Sequence, residues 1–309
     1  MQPLRGMLVV DFSRYLPGAF AARELLELGA RVVCVEPPGG DPMRTSAPAW
    51  DAALRAGKES LEVDLKRDPA PALKLLGEAD VVLESFRPGV ASRLGIGPEH
   101  VPEGTVYCSI TGFGLGGRHE QRAGHDLNYL GWAGTLWDTA PAPPPVQIAD
   151  LAAGALGAVT RILAALLERD RTGKGAHVVV SMTHGSHRFV AHRLGGDALP
   201  RMLTGGLACY RIYETADGRQ LTVGALEQVF FRRLTELLGR PELAERQFDA
   251  EQETLAAELA AIFAARPLAE WLELFDSEDV CVGPVATIAE AAADLARSSP
   301  SLASGQPRR

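Results

Sequence analysis

Two short stretches of the chain carry residue types that move protons. Gly124-His125-Asp126 sets an imidazole beside a carboxylate, and Ile148-Ala149-Asp150 places a second carboxylate at the mouth of a long Ala/Leu/Gly-rich segment. A histidine and an aspartate that reach one small site can remove a proton and return one. Each residue also has a plainer reading. His125 or Asp126 can cap a helix over 127–136, and Asp150 is a good N-cap for the helix that follows it. Capping and chemistry are compatible, because a helix N-terminus also stabilises a nearby anion. Glu227, at the end of Val223-Gly-Ala-Leu-Glu227, falls where a hairpin gives way to a helix, again a natural cap position. Arg87 and Arg93, with Arg44, Arg55 and Lys58, lie near expected strand ends. There they are either a solvated face or partners for a phosphate-bearing ligand.

The elements that must position these residues alternate through the first half. Met7–Asp11 reads as a buried strand, Pro17–Leu28 as a helix stopped at Gly29, and Ala30–Glu36 as the next strand. A strand-like run over Ser60–Leu65 precedes a helix opened by Asp68 and Pro69, and Asp80–Glu84 and Val106–Ile110 follow as strands. Such alternation predicts a Rossmann-like, mainly parallel sheet flanked by helices. Leu151–Arg169 has the content of a buried helix, Thr172-Gly-Lys-Gly175 of a turn, and Ala176–Ser181 of a strand. Beyond Leu207 the pattern changes. Cys209–Tyr213 and Gln220–Gly224, joined by Ala216-Asp217-Gly218, predict a hairpin, followed by amphipathic helices between Gln228 and Phe275. The expected organisation is α/β: a large domain over 1–199 and a smaller α+β domain over 200–289. A frayed tail from Ser298 follows, with 290–309 free to return toward the large domain.

Composition narrows the function. The chain has 309 residues, 46% of them apolar, and a formal charge of −8, which argues against nucleic-acid binding. No segment reaches the uninterrupted apolar length of a bilayer span, and the first residues carry no secretory pattern, so a cytoplasmic location is expected. Cys34, Cys108, Cys209 and Cys281 are widely separated and read as buried free thiols. His184, His187 and His192 do not share one helical face cleanly, so no metal site is expected. Glu36 ends a strand where a dinucleotide fold places a ribose-binding acid. The first turn, Asp11-Phe-Ser-Arg-Tyr-Leu-Pro-Gly18, lacks the glycine spacing such a fold needs.

Further segments are specific enough to carry a resemblance. They are Gly29-Ala-Arg-Val-Val-Cys-Val-Glu36, Gly57-Lys-Glu-Ser-Leu-Glu-Val-Asp-Leu-Lys66, Glu84-Ser-Phe-Arg-Pro-Gly-Val90 with Arg93-Leu-Gly95, and Ser109-Ile-Thr-Gly-Phe-Gly114. Leu163-Ala-Ala-Leu166 through Gly175 and Tyr210-Arg-Ile-Tyr-Glu214 through Gly218 continue the series. In this order, from Leu4 to about Ala292, the chain resembles the family III coenzyme A transferases and, more closely, the α-methylacyl-CoA racemases within that superfamily.

The resemblance implies an acyl-CoA substrate in lipid metabolism, no separate cofactor, no metal, and a homodimer whose subunits interlock like chain links. Transferases of the family carry a tyrosine where this chain has His125, and use the aspartate matching Asp150 to form an acyl anhydride. Racemases have Gly-His-Asp at 124–126 and a glutamate in a segment like Gly224-Ala-Leu-Glu227. The implied reaction interconverts (2R)- and (2S)-2-methylacyl-CoA thioesters. His125, paired with Glu227, and Asp150 act as bases on opposite faces of the α-carbon, and amides near Asp126 hold the enolate oxygen. Arg87, Arg93 and Lys58 fall at CoA-phosphate positions. The family's Asn-Arg-Gly-Lys-Arg-Ser segment reads Arg55-Ala-Gly-Lys-Glu-Ser60 here, and Pro37 stands in place of an arginine. A CoA transferase using Asp150 as nucleophile, and a non-catalytic CoA-binding paralogue, are the alternative readings. Leu16, Phe20, Trp132 and Trp137 are candidates for an apolar wall against the acyl chain, or ordinary core.

Overall fold

The fold was analysed on a computed structural model, which describes residues 2–137, 140–195 and 202–298. Two compact units meet in sequence at His192 and Arg193. The expected domain boundary at 199/200 and the tail from 299 onward lie outside the described residues.

The first unit is built on six strands: β1 Leu8–Asp11, β2 Arg31–Glu36, β3 Glu59–Glu62, β4 Val81–Glu84, β5 Val106–Thr111 and β6 His177–Ser181. They run in the order β3-β2-β1-β4-β5-β6, and every pairing is parallel. Continuous Val-rich runs suit this sheet, since helices cover both faces and leave no polar side. On one face α1 (Leu16–Glu27) and the helix α7 (Gly157–Thr172) pack through Ala21, Ala22, Leu25, Ala158, Ile162 and Leu166. On the other, α4 (Ala70–Glu78) and the short α5 (Val90–Arg93) close a cluster containing Val10, Val33, Leu76, Val82 and Ile96. Helices α2 (Met43–Ser46) and α3 (Pro48–Arg55) fill the crossover between β2 and β3. Periodicity did not separate them from loop.

The strand order reverses between β1 and β4. Both neighbours of that point leave their carboxyl ends uncovered, the place where open α/β sheets bind ligands. After β5 the chain forms a long loop and then α6 (Asp126–Ala133). The expected helix from Leu151 begins two residues earlier, as a π-helical stretch over Ala149–Leu156 that runs straight into α7. Together they make 24 residues, long and apolar enough to cross a bilayer by length and composition. Asp150 and Arg161 interrupt the run, and buried Ala149, Ala155, Ile162 and Leu166 seat it on the sheet as a core helix. Helix α8 (Met182–Arg188) follows β6 and packs on the π-helical stretch.

The second unit has a three-stranded antiparallel sheet, β7 (Tyr210–Glu214), β8 (Gln220–Gly224) and β9 (Val282–Pro284). Helices α9 (Gln228–Leu237), α10 (Gln252–Phe263) and α11 (Leu268–Phe275) enclose a core of Tyr213, Leu221, Phe231, Phe263 and Trp271. The expected hairpin is present, with Gly218 at positive φ in its turn. Cys34, Cys108 and Cys209 are buried as expected, whereas Cys281 is exposed.

One backbone contact fixes how β6 enters the sheet. A Cβ on Gly175 would lie 2.0 Å from the carbonyl oxygen of Thr105, and that neighbour is main chain, which cannot swing away. Gly175→Ala should therefore destabilise the protein by about 3 kcal/mol, the upper range for overpacking a closed site. Denaturant unfolding of the variant checks this, with Gly77→Ala, which meets nothing within 4 Å, as the control expected to cost little.

Candidate active site

The loops after β1, β4 and β5 and the start of α6 enclose a cleft of about 500 Å³. Arg14, Tyr15, Ser85, Phe86, Arg87, Thr111, Gly112, Glu120, Arg122, His125, Tyr129, Asp150 and Met182 are among its lining residues. His125 and Asp150, far apart in sequence, thus share one cavity.

His125 is the residue immediately before α6, with extended backbone. The plainer reading is met in position: His125 is the N-cap of α6, and Asn128 closes the capping box. The Asn128 Oδ1 accepts from the His125 N–H (3.0 Å), while the Asn128 N–H donates to the His125 carbonyl (2.8 Å). The imidazole stays exposed at the cleft. Gly124 is held from the other side by Tyr129, whose hydroxyl donates to the Gly124 carbonyl at 2.5 Å. The Tyr129 ring lies where side chains on Gly112 or Gly124 would be, so both glycines are needed for it to sit there. Phe113 supports it edge-on, with centroids 5.4 Å apart.

Asp126 reaches across to the second helix. Its Oδ1 accepts from the Asp150 N–H at 2.9 Å, capping one of the free N–H groups at the start of the π-helical stretch. The Asp150 carboxyl is half-buried, and burial, with the Asp126 carboxylate adding to it, pushes its pKa up to about 7. Burial, and then the charge of Asp150, push the Tyr129 hydroxyl up to about 12, while the Arg87 cation opposes the shift. Arg87 therefore acts electrostatically on the same part of the cleft as Asp150. The widened helix is made possible by small residues. Gly154 meets Met182, and Gly185 of α8 comes so near Ala153 that a Cβ there would lie 2.8 Å from the Ala153 methyl. π-Helical turns often mark functional positions, because they turn a side chain out of the regular register.

Residues after β1 line the cleft without a motif that announced them. Asp11 Oδ1 accepts from the Ser13 N–H (2.8 Å) and hydroxyl (2.5 Å), and so folds a tight turn. Ser85 Oγ accepts from the Arg14 N–H (3.0 Å) and ties that turn to the end of β4. Arg14 lies over the Phe86 ring, 5.5 Å from its centroid. Tyr15, a non-glycine residue at φ 64°, opens α1 from a strained conformation.

The basic candidates separate. Arg87 lines the cleft, and Arg93 is exposed at the end of α5; among the described residues neither side chain has a hydrogen-bond or ion-pair partner. Arg44 and Arg55 are instead engaged with carboxylates. Arg44 Nη2 meets Glu36 Oε2 at 2.6 Å, and Arg55 pairs with Glu36 and, at 2.7 Å, with Asp51. Ser60 Oγ also donates to Glu36 (2.7 Å), which removes that acid from any ribose-binding part. Lys58 Nζ donates to the Ala19 carbonyl at 2.7 Å, and burial lowers its pKa.

Glu227 belongs to the second unit. It is exposed, precedes α9, and accepts from the Phe230 and Phe231 N–H groups through its backbone carbonyl. None of the four candidates for an apolar wall or ordinary core is among the residues lining the cleft. Leu16 is buried with Met43 and Leu54, Phe20 packs in the core, Trp132 stands half-exposed beside His119 and Arg122, and Trp137 is 88% exposed. His184 is bonded to Ser181 Oγ (2.8 Å) and His187 to the Ala133 carbonyl (3.0 Å). Among the described residues no group of His, Cys, Asp and Glu could hold a metal ion.

Comparison with known proteins agrees with this architecture. Residues 4–300 match the sequence model of CoA-transferase family III. The chain is 36% identical over 308 residues to an α-methylacyl-CoA racemase from Homo sapiens, covering 93% of this chain and 78% of that protein. It is 33% identical to an acetyl-CoA:oxalate CoA-transferase from Acetobacter aceti, covering 94% and 82%. A solved CaiB/BaiF family protein from Brucella suis superposes with TM-score 0.77 at 31% identity, covering 95% of this chain and 86% of that one. This protein belongs to CoA-transferase family III.

Proposed function

We propose that the protein is a racemase of 2-methylacyl-CoA thioesters, working by two-base proton exchange at the α-carbon. The observation that carries this reading is the shared cleft: the His125 imidazole and an Asp150 carboxyl that titrates near neutrality line one cavity. A thioester acidifies its α-hydrogen. One group removes that proton as the C–H electron pair moves into the enolate, and the other returns a proton to the opposite face. The first-turn N–H groups of α6 are the donors assigned to the enolate oxygen, in an orientation already formed before substrate arrives. No separate cofactor or metal takes part in the proposed steps.

In the same proposal Arg87 and Arg93, whose guanidinium groups have no carboxylate partner among the described residues, take CoA phosphates. Glu227 is assigned as the carboxylate partner of His125 on the likeness of Gly224-Ala-Leu-Glu227 to the racemase pattern. A homodimer is proposed on the same ground. A CoA transferase is the second reading, supported by the identity shared with the oxalate transferase and by a carboxylate in the cleft that could attack a thioester carbonyl. His125 favours the racemase, because the transferase pattern carries a tyrosine there.

Incubation with a 2-methylacyl-CoA in heavy water should place deuterium at the α-carbon without any acceptor acid. Strict dependence on an acceptor would overturn the racemase reading. His125→Ala and Asp150→Ala should each lower the exchange rate by about 10²-fold or more, the usual contribution of a positioned acid or base. Unchanged exchange in both, with CoA binding retained, would remove the chemistry from this site.

Proton exchange also has a pH signature. Asp150 must be ionised to take the α-proton in one direction and protonated to return one in the other, so its pKa shapes kcat/KM in both directions. Because the Asp126 charge adds to the raised pKa of Asp150, Asp126→Asn should lower that pKa and shift the pH dependence of kcat/KM toward lower pH. A profile that stays in place, followed by initial rates across the pH range, would contradict the part assigned to Asp150.

A further inference from the structure

We infer that Gln247 is a positioning residue for Glu227, acting through the backbone of the turn that presents it. The inference rests on the part given to Glu227 above and concerns the second unit alone.

Among the described residues Glu227 has no side-chain hydrogen bond or ion pair, and it is exposed, so its place is set by main chain. The turn before it, Gly224-Ala-Leu-Glu227, leaves β8 and enters α9 within three residues. One side of that turn is pinned where the Gly224 N–H donates to the Cys281 carbonyl (2.9 Å). The other side is pinned by a single side chain. Gln247 Nε2 donates to the Ala225 carbonyl at 3.0 Å and to the Leu226 carbonyl at 2.9 Å. Those two carbonyls immediately precede Glu227, so the amide sets the direction in which the glutamate leaves the sheet.

Gln247 is itself held in place. It is 2% exposed and follows the helical turn Pro241–Arg246. Its own carbonyl accepts from Gln252 Nε2 (3.1 Å), while Gln252 Oε1 accepts from the Ala208 N–H (2.8 Å). The chain of contacts runs from the start of α10 to the Glu227 turn. Gln247 Oε1, in contrast, is buried without a hydrogen-bond partner among the described residues. A half-satisfied buried amide is a poor choice for stability alone, since an apolar side chain of the same size would pack there without an orphaned oxygen. What the amide supplies, and a leucine or methionine would not, is two directed donors to adjacent carbonyls.

The test is a double-mutant cycle read by α-hydrogen exchange with 2-methylacyl-CoA in heavy water. Gln247→Met keeps the volume and removes both donors. It should lower kcat about tenfold while leaving KM within about twofold, as a small misplacement of a catalytic partner does. In a Glu227→Gln background the same substitution should lower kcat by less than about twofold, because the residue through which it acts is already disabled. Equal losses in both backgrounds, or an unchanged rate in the single variant, would overturn the inference. Gln247→Glu decides the matter if Gln247→Met does not fold. Its rate relative to the unsubstituted protein should rise as pH falls, because a protonated carboxyl regains one donor. No rise would count against positioning. Exchange at the full rate in Glu227→Gln alone would remove Glu227 from the mechanism, and Gln247 with it. That outcome is distinct from additive losses, which refute only Gln247.

Discussion

The hydrogen bond from the Asp150 N–H to the Asp126 carboxylate ties together everything that makes the cleft a site. A helix start has N–H groups with no partner inside the helix, and a carboxylate is among the strongest acceptors available to them. By accepting one, Asp126 joins the first residue of α6 to the first turn of the π-helical stretch. The His125 imidazole is thereby committed to the cavity that Asp150 lines. The same bond also has an electrostatic effect. It keeps a negative charge beside a half-buried carboxyl, and so favours the protonated form of Asp150. One contact thus fixes position and adds to the effect of burial on proton affinity.

That contact exists only because the surrounding backbone comes very near. Gly112 and Gly124 leave room for the Tyr129 ring, whose hydroxyl then closes on the Gly124 carbonyl. Gly154 and Gly185 leave room for the Met182 side chain and the Ala153 methyl, which lets the π-helical stretch and α8 approach closely. Small residues that look like helix filler along the sequence are spacers for the site. The parallel sheet supplies the rest, since the loops after β1, β4 and β5 all open at the same end.

Charge is divided in a similar way. Arg44, Arg55, Glu36, Asp51 and Ser60 form a network in which each partner is neutralised nearby, so these groups hold α2 and α3 against the sheet edge. Arg87 sits at the cleft outside that network, and its cation is felt by Tyr129 together with the charge of Asp150. Cations that looked equivalent in sequence thus have different partners in the fold.

Much of this was legible beforehand. Val-rich runs such as Arg31–Glu36 and Val106–Thr111, broken by helix stops such as Gly29, carry the parallel sheet, because strand burial and turn chemistry are properties of a few adjacent residues. The ordered family segments were specific enough to name the family, and they singled out His125, Asp150 and Glu227. Other features could not be read locally. Arg14 and Tyr15 line the cleft from a turn tied to Ser85, and Tyr129 lines it from α6 in the space left by Gly112, so their placement depends on distant partners. Whether Leu16 and Phe20 were wall or core was open in the sequence, and the fold places them in core clusters, since hydrophobicity states that a side chain avoids water but not which surface covers it. The sequence by itself determined the elements, their order and the reactive residue types. Only the tertiary structure decided which of them meet, which cations are already paired, and that Asp150 titrates near neutrality. Desolvation and charge proximity arise from neighbours brought together in space.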